Sequence, residues 1–146
     1  MRKLILAISV LALAGTAAFA DDPVAERQAL MKANGKAAGQ LAAIAKGEQP
    51  FDAAAVLVAL KTLNDDAQKL DVEKLFPAGS DKGKTEASPK IWQDMAGFKA
   101  RADAFKKAAA AAVAAPPADV AGVKTTLGAI GQTCGGCHEN FRIKKG

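Results

Sequence analysis

Near its C-terminus the chain reads Cys134-Gly135-Gly136-Cys137-His138. On a helix the two thiols point to one side, and His138 follows Cys134 by four residues, so all three can converge on one edge and face of a flat macrocycle. Thiols at this spacing can bond the two vinyl groups of a porphyrin while the imidazole binds its iron, which is the c-type haem attachment pattern. Other chemistries fit less well. A C-x-x-C redox pair wants a preceding strand and a βαβ setting, and a structural zinc site needs further ligands in a chain with two cysteines and one histidine. A disulfide remains open to an exported chain, but it gives the adjacent histidine no role. One covalently attached haem c is expected, with His138 on the iron.

Because His138 is the only histidine, a bis-histidine haem from one chain is excluded. The opposite iron face is left to methionine, a weaker group, water or nothing. Met1 lies in a leader argued below to be removed, and Met95 falls on an apolar helix stripe. Met31 lies off its stripe by about a quarter turn, with Arg27, Asn34, Gly35 and Ala38 at helical spacing. Small neighbours leave room there for a macrocycle. The competing reading is that Met31 fills a gap in the core.

Four segments must position these groups. Leu30, Ala33, Ala37, Leu41 and Ile44 recur at three-four spacing between Val24 and Ala45, and the helix stops near Gly47. Asp52 is an N-cap for a second segment to about Leu70, striped by Val56, Leu60, Leu63, Ala67 and Leu70. Residues 71–87 carry Pro77, Gly79 and Gly83 without a period and read as a long surface connection. Ser88-Pro89 opens a third helix with Ile91, Met95, Phe98, Ala102, Phe105, Ala109 and Val113 on one face, ended by Pro116-Pro117. The fourth, from about Ala118 to Lys144, stripes Val120, Val123, Leu127, Ile130, Cys134, Cys137 and Phe141. These segments predict an all-α, antiparallel up-and-down four-helix bundle with covalently bound haem.

Composition agrees. Among 146 residues there are 35 alanines and no tyrosine, which favours helix over sheet. With so much alanine, either the helices approach closely or something large and apolar fills the gap between them. Met1-Arg2-Lys3, the apolar run Leu4 to Leu13 and the small-x-small Ala18-Phe19-Ala20 make residues 1–20 a signal peptide cleaved after Ala20. Residues 21–146 then form one domain. Without Arg2 and Lys3 the formal charge falls from +5 to +3, too little to argue nucleic-acid binding. The run Ala108 to Ala115 is too short for a membrane span, so no membrane insertion of the mature chain is expected.

The chain resembles the class II cytochromes c, the cytochrome c-prime group. The resemblance rests on Arg27-Gln28, Lys46-Gly47-Glu48, Pro89-Lys90-Ile91-Trp92 and the run from Cys134 to Arg142, and it covers about 120 residues in order. Leu30-Met31-Lys32 followed by Asn34-Gly35 is similar to the low-spin, cytochrome c-556 type, where five-coordinate members carry a bulky apolar residue. The resemblance implies that Met31 is the sixth ligand and that Arg27 pairs with a haem propionate. Arg142, four residues after His138, could likewise reach the haem edge, and Ser80 or Asp81 could touch the propionates. It also implies a homodimer through the first two helices as one option, on which Lys36 and Gln40 are silent.

A thioether opposite an imidazole saturates iron and leaves no open site, so the expected function is a periplasmic one-electron carrier rather than an enzyme. The alternative is a five-coordinate protein that binds nitric oxide or carbon monoxide. Its redox partner proteins are unidentified; Lys124, Arg142, Lys144 and Lys145 could form a weak basic rim that steers an acidic one. Trp92 is expected to pack in the bundle. Mass spectrometry of the natively matured, secreted protein should find the polypeptide from Asp21 plus the mass of one haem; a bare polypeptide would refute the attachment.

Overall fold

The computed structural model describes residues 22–143, so the expected leader and its cleavage site lie outside the described residues. The elements are α1 (Pro23–Lys46), α2 (Ala53–Lys69), the single turn α3 (Val72–Leu75), the single turn α4 (Lys90–Gln93), α5 (Met95–Ala114) and α6 (Val120–Phe141). Aspartates set the starts. Asp22, Asp52, Asp71, Asp94 and Asp119 each accept a hydrogen bond from a backbone N–H in the first turn that follows. Each such cap is worth about 1 kcal/mol and satisfies donors that have no partner inside the helix. Gly47 ends α1 with φ at 78°, a left-handed conformation that glycine adopts without the Cβ penalty.

The four long helices form the expected bundle, and two apolar clusters show that neighbours run antiparallel. One cluster joins Ala37, Leu41 and Ile44 of α1 to Val56, Leu60 and Leu63 of α2, Phe105 and Ala109 of α5, and Val123 and Ile130 of α6. The other joins Leu30, Leu70, Phe98 and Phe141 from the opposite ends of the same helices. At the first end Ala37, Ala59, Ala67 and Ala109 are buried between helices, so the alanines there serve close approach. At the second end bulk comes from aromatics: Phe76 packs edge-on against Phe98 at 4.7 Å between centroids, and Phe98 against Phe141 at 5.2 Å. Trp92 packs against this cluster and donates from Nε1 to the carbonyls of Phe76 and Pro77. The cysteine-bearing end of α6 belongs here too, through Cys137.

Three boundaries differ from the sequence expectation. The connection after α2 is not purely a surface loop, because Val72, Leu75 and Phe76 are buried and close the aromatic end. The third helix is broken at Asp94, whose φ of −134° is non-helical and whose Oδ1 accepts from Gly97 N–H at 2.9 Å. An aspartate can offer the backbone this local alternative, and the stripe stays in phase because Ile91, Phe98, Ala102, Phe105 and Ala109 are all buried. The last helix ends at Phe141 rather than Lys144, since Arg142 is extended and forms an isolated antiparallel bridge with Ala87.

Two buried polar groups stand between the clusters. Asn34 on α1 and Asp66 on α2 are buried, and Asn34 Oδ1 and Asp66 Oδ2 have no hydrogen-bond partner. Burial raises the Asp66 carboxyl above its ordinary range, Asp65 adds to the effect, and Lys69 opposes it. A folded-state pKa above the unfolded value means that the folded chain holds this proton more tightly. The protonated carboxyl is therefore tolerated at acid pH, and stability falls as pH rises from the unfolded carboxylate range through the folded value. Asp66→Leu should raise stability at pH 7 by about 1–3 kcal/mol and remove that part of the pH dependence, as read by urea unfolding at pH 4 and pH 7.

Candidate functional site

Cys134 and Cys137 are free, half-buried thiols on the α6 stripe that faces the bundle. No disulfide joins them. Burial pushes the Cys134 thiol up, partly offset by a hydrogen bond from Thr133; burial and Cys134 push the Cys137 thiol up, partly offset by Arg101. His138 is exposed, one position round the helix from Cys137. Partial desolvation of the ring against the neighbouring helix and the segment that precedes α4, together with Arg142, lowers its pKa, while Glu86 works the other way. The imidazole is therefore neutral at pH 7, which is the form that ligates a metal.

The antiparallel packing brings the N-terminal half of α1 alongside these groups, as Leu30, Cys137 and Phe141 in one cluster show. Lys36, Gln40 and Ala43 line a groove with α2, so the opposite flank of α1, which carries Met31, Gly35 and Ala38, is turned to α6. Met31 is 36% exposed and is not a core residue, whereas Met95 packs against the aromatic cluster. On α6, Gly128, Gly131 and Gly135 share a helical row with His138. A Cβ at any of these, or at Gly35, would meet no atom within 4 Å. Met31 and His138 are thus both exposed at this end of the bundle, on two helices that contact each other, and no side chain covers the glycines beside them.

Both arginines are held by the segment that follows α3. Arg27 is only 4% exposed, its guanidinium 4.6 Å over the Phe76 ring. Its Nη1 donates to the Leu75 carbonyl and Ser80 Oγ, both at 3.0 Å, and its Nη2 to the Ser80 carbonyl at 2.6 Å and Thr85 Oγ1 at 2.8 Å. All four acceptors are neutral. Burial lowers the guanidinium pKa and Asp22 partly restores it, so this is a buried cation with no carboxylate among its hydrogen-bond partners, and its Nε–H is the one donor these bonds leave over. Arg142 pairs with Glu86, donating from Nε at 2.6 Å. Of the expected basic rim, Lys144 and Lys145 lie outside the described residues. Ser80 is engaged by Arg27.

Sequence reasoning missed Arg101. Its Nη1 lies 3.2 Å from where a Cβ at Gly136 would be, so Gly136 makes room for a guanidinium on α5, as well as lying between the cysteines. It also missed Thr85 and Glu86, which carry no motif and gain meaning only from the arginines they meet.

Comparisons with known proteins bear on the same residues. The family model described as Cytochrome C' matches residues 22–142. The chain is 43% identical over 129 residues to cytochrome c-556 of Agrobacterium fabrum, covering 88% of this chain and 86% of the relative. It is similar in structure to cytochrome c' from Rhodopseudomonas palustris, with a TM-score of 0.78, 40% identity, and coverage of 86% of this chain and 98% of the other. An NMR-validated structural model for oxidized Rhodopseudomonas palustris cytochrome c556 matches with a TM-score of 0.73 and 43% identity over 86% of this chain and 98% of the other.

Arg27→Ala would leave two carbonyls and two hydroxyls without their donor at the aromatic end. It should cost about 2–4 kcal/mol in urea unfolding and raise amide hydrogen exchange in residues 80–87 more than in α2.

Proposed function

The chain belongs to the cytochrome c' family, and from that membership we propose that it is a periplasmic one-electron carrier of the cytochrome c-556 type, with one haem c held by Cys134 and Cys137 and ligated by His138 and Met31. The observation that carries this reading is the placement of Met31 and His138. They stand at one end of the bundle, on two helices in contact, both exposed and outside the apolar core. When bound, the haem supplies an iron that accepts and returns one electron.

The chain's own residues do the rest. His138 presents a neutral imidazole, and Cys134 and Cys137 set the edge at which the ring is fixed. Met31 would present a thioether to the iron, which would favour the reduced state relative to harder ligands and leave no position open to small gases. Leu30, Phe98 and Phe141 supply apolar walls that exclude water from one side. Arg27, a buried cation with its Nε–H left over, suits a propionate through a charge-assisted hydrogen bond. With the single histidine given to iron, no side chain is left for histidine-dependent acid or base catalysis, and no reaction is assigned to this protein. Export follows from the leader at residues 1–20, and among the described residues no helix is long and apolar enough to cross a membrane. The partners are redox proteins that meet the exposed His138 end of the bundle.

Visible spectra of the oxidised and reduced holoprotein, with and without carbon monoxide, test the ligand. Six-coordinate low-spin spectra that do not change with carbon monoxide are expected at neutral pH. Met31→Ala should become high-spin and bind the gas. Rapid binding by the unmodified protein would instead assign it to the five-coordinate, gas-binding kind, and an unchanged Met31→Ala spectrum would mean that another group ligates the iron.

A further inference from the structure

Each proposed iron ligand has an arginine one helical turn away, and both arginines hold the same short segment. Arg27 precedes Met31 by four residues and Arg142 follows His138 by four. From α1, Arg27 donates to the Ser80 carbonyl, Ser80 Oγ and Thr85 Oγ1, and its neighbour Gln28 donates from Nε2 to the Lys84 carbonyl at 2.6 Å. At the end of α6 and just past it, the Phe141 carbonyl accepts from Ser88 N–H at 3.0 Å, Arg142 pairs with Glu86, and Ile143 N–H donates to the Glu86 carbonyl at 2.8 Å. Thr85 Oγ1 also accepts from Ala87 N–H, which ties the two halves together. Residues 80–88 therefore form a strap from the start of α1 to the end of α6.

We propose that this strap is a positioning device for the axial pair: through Arg27 and Arg142 it fixes the height and separation of the turns that carry Met31 and His138. The inference rests on the ligand assignment above and goes beyond it. α1 and α6 are the first and last long helices, so no direct connection of the chain joins them at any point. Apolar packing alone is non-directional and allows two helices to slide, whereas several hydrogen bonds to one rigid segment do not. A thioether is the weaker of the two axial groups, and a shift of about one ångström is enough to lose a positioned contact. The strap meets α6 chiefly through backbone bonds and α1 through side chains, so its side-chain half can be cut without touching the helices.

The test uses holoprotein carrying Thr85→Val and Glu86→Gln together, with Thr85→Ser as the conservative control. Thr85→Val removes both bonds that Thr85 Oγ1 accepts and Glu86→Gln removes the charge of the Arg142 pair; together they are expected to speed carbon monoxide binding to the reduced protein roughly tenfold and to weaken the ferric methionine-to-iron charge-transfer absorption. Thr85→Ser should restore both while helical circular dichroism stays constant throughout. A folded double variant with the parent's carbon monoxide rate and charge-transfer absorption overturns the strap's role. If the double variant fails to take up haem, Glu86→Gln alone carries the same comparison. Met31→Ala separates the two ideas: if it leaves the spectrum unchanged the ligand assignment falls, and if it opens the iron while the strap variants do not, only the strap falls.

Discussion

The antiparallel register of α1 against α6 is the constraint on which the site depends. Met31 and His138 are 107 positions apart in the chain, yet they stand at one end of the bundle because the first helix runs up and the last runs down. Leu30, Cys137 and Phe141 in a single apolar cluster record that register. A slip by one helical turn would move one of the two proposed ligands by about 5.4 Å relative to the other. The register therefore decides whether Met31 and His138 can serve one group.

The two ends of the bundle solve different problems. At one end alanine between helices allows close approach, and Leu41, Leu60 and Leu63 supply a dense core. At the other, Phe98 packs edge to face against Phe76 and Phe141, and Gly35, Gly131 and Gly135 on α1 and α6 are exposed. Buried Asn34 and Asp66 lie between the two ends, where neither packing mode satisfies their oxygens.

Arg27 shows how one residue serves two structural levels. Its aliphatic stem and guanidinium cover Phe76, so it adds to the apolar end, while its Nη groups hold residues 75–85 in place. A lysine could not do the same, because an ammonium has no planar fork with which to reach four acceptors from one buried position.

The amino-acid sequence by itself carried the attachment motif, the four apolar stripes and the Asp52 cap, because each is a pattern of a few residues whose geometry follows from helical periodicity, while the family was legible as a resemblance spread over about 120 residues. The sequence excluded a second histidine and left Met31 as the ligand that the family resemblance implies. Tertiary structure decided what such patterns cannot contain: that Arg27 and Arg142 meet Ser80, Thr85 and Glu86, that Asp94 breaks the third helix, that Arg101 lies over Gly136, and that Asp66 is buried. A long charged side chain reaches many acceptors from one backbone position, and which of them it takes depends on what distant segments bring within a hydrogen bond's length.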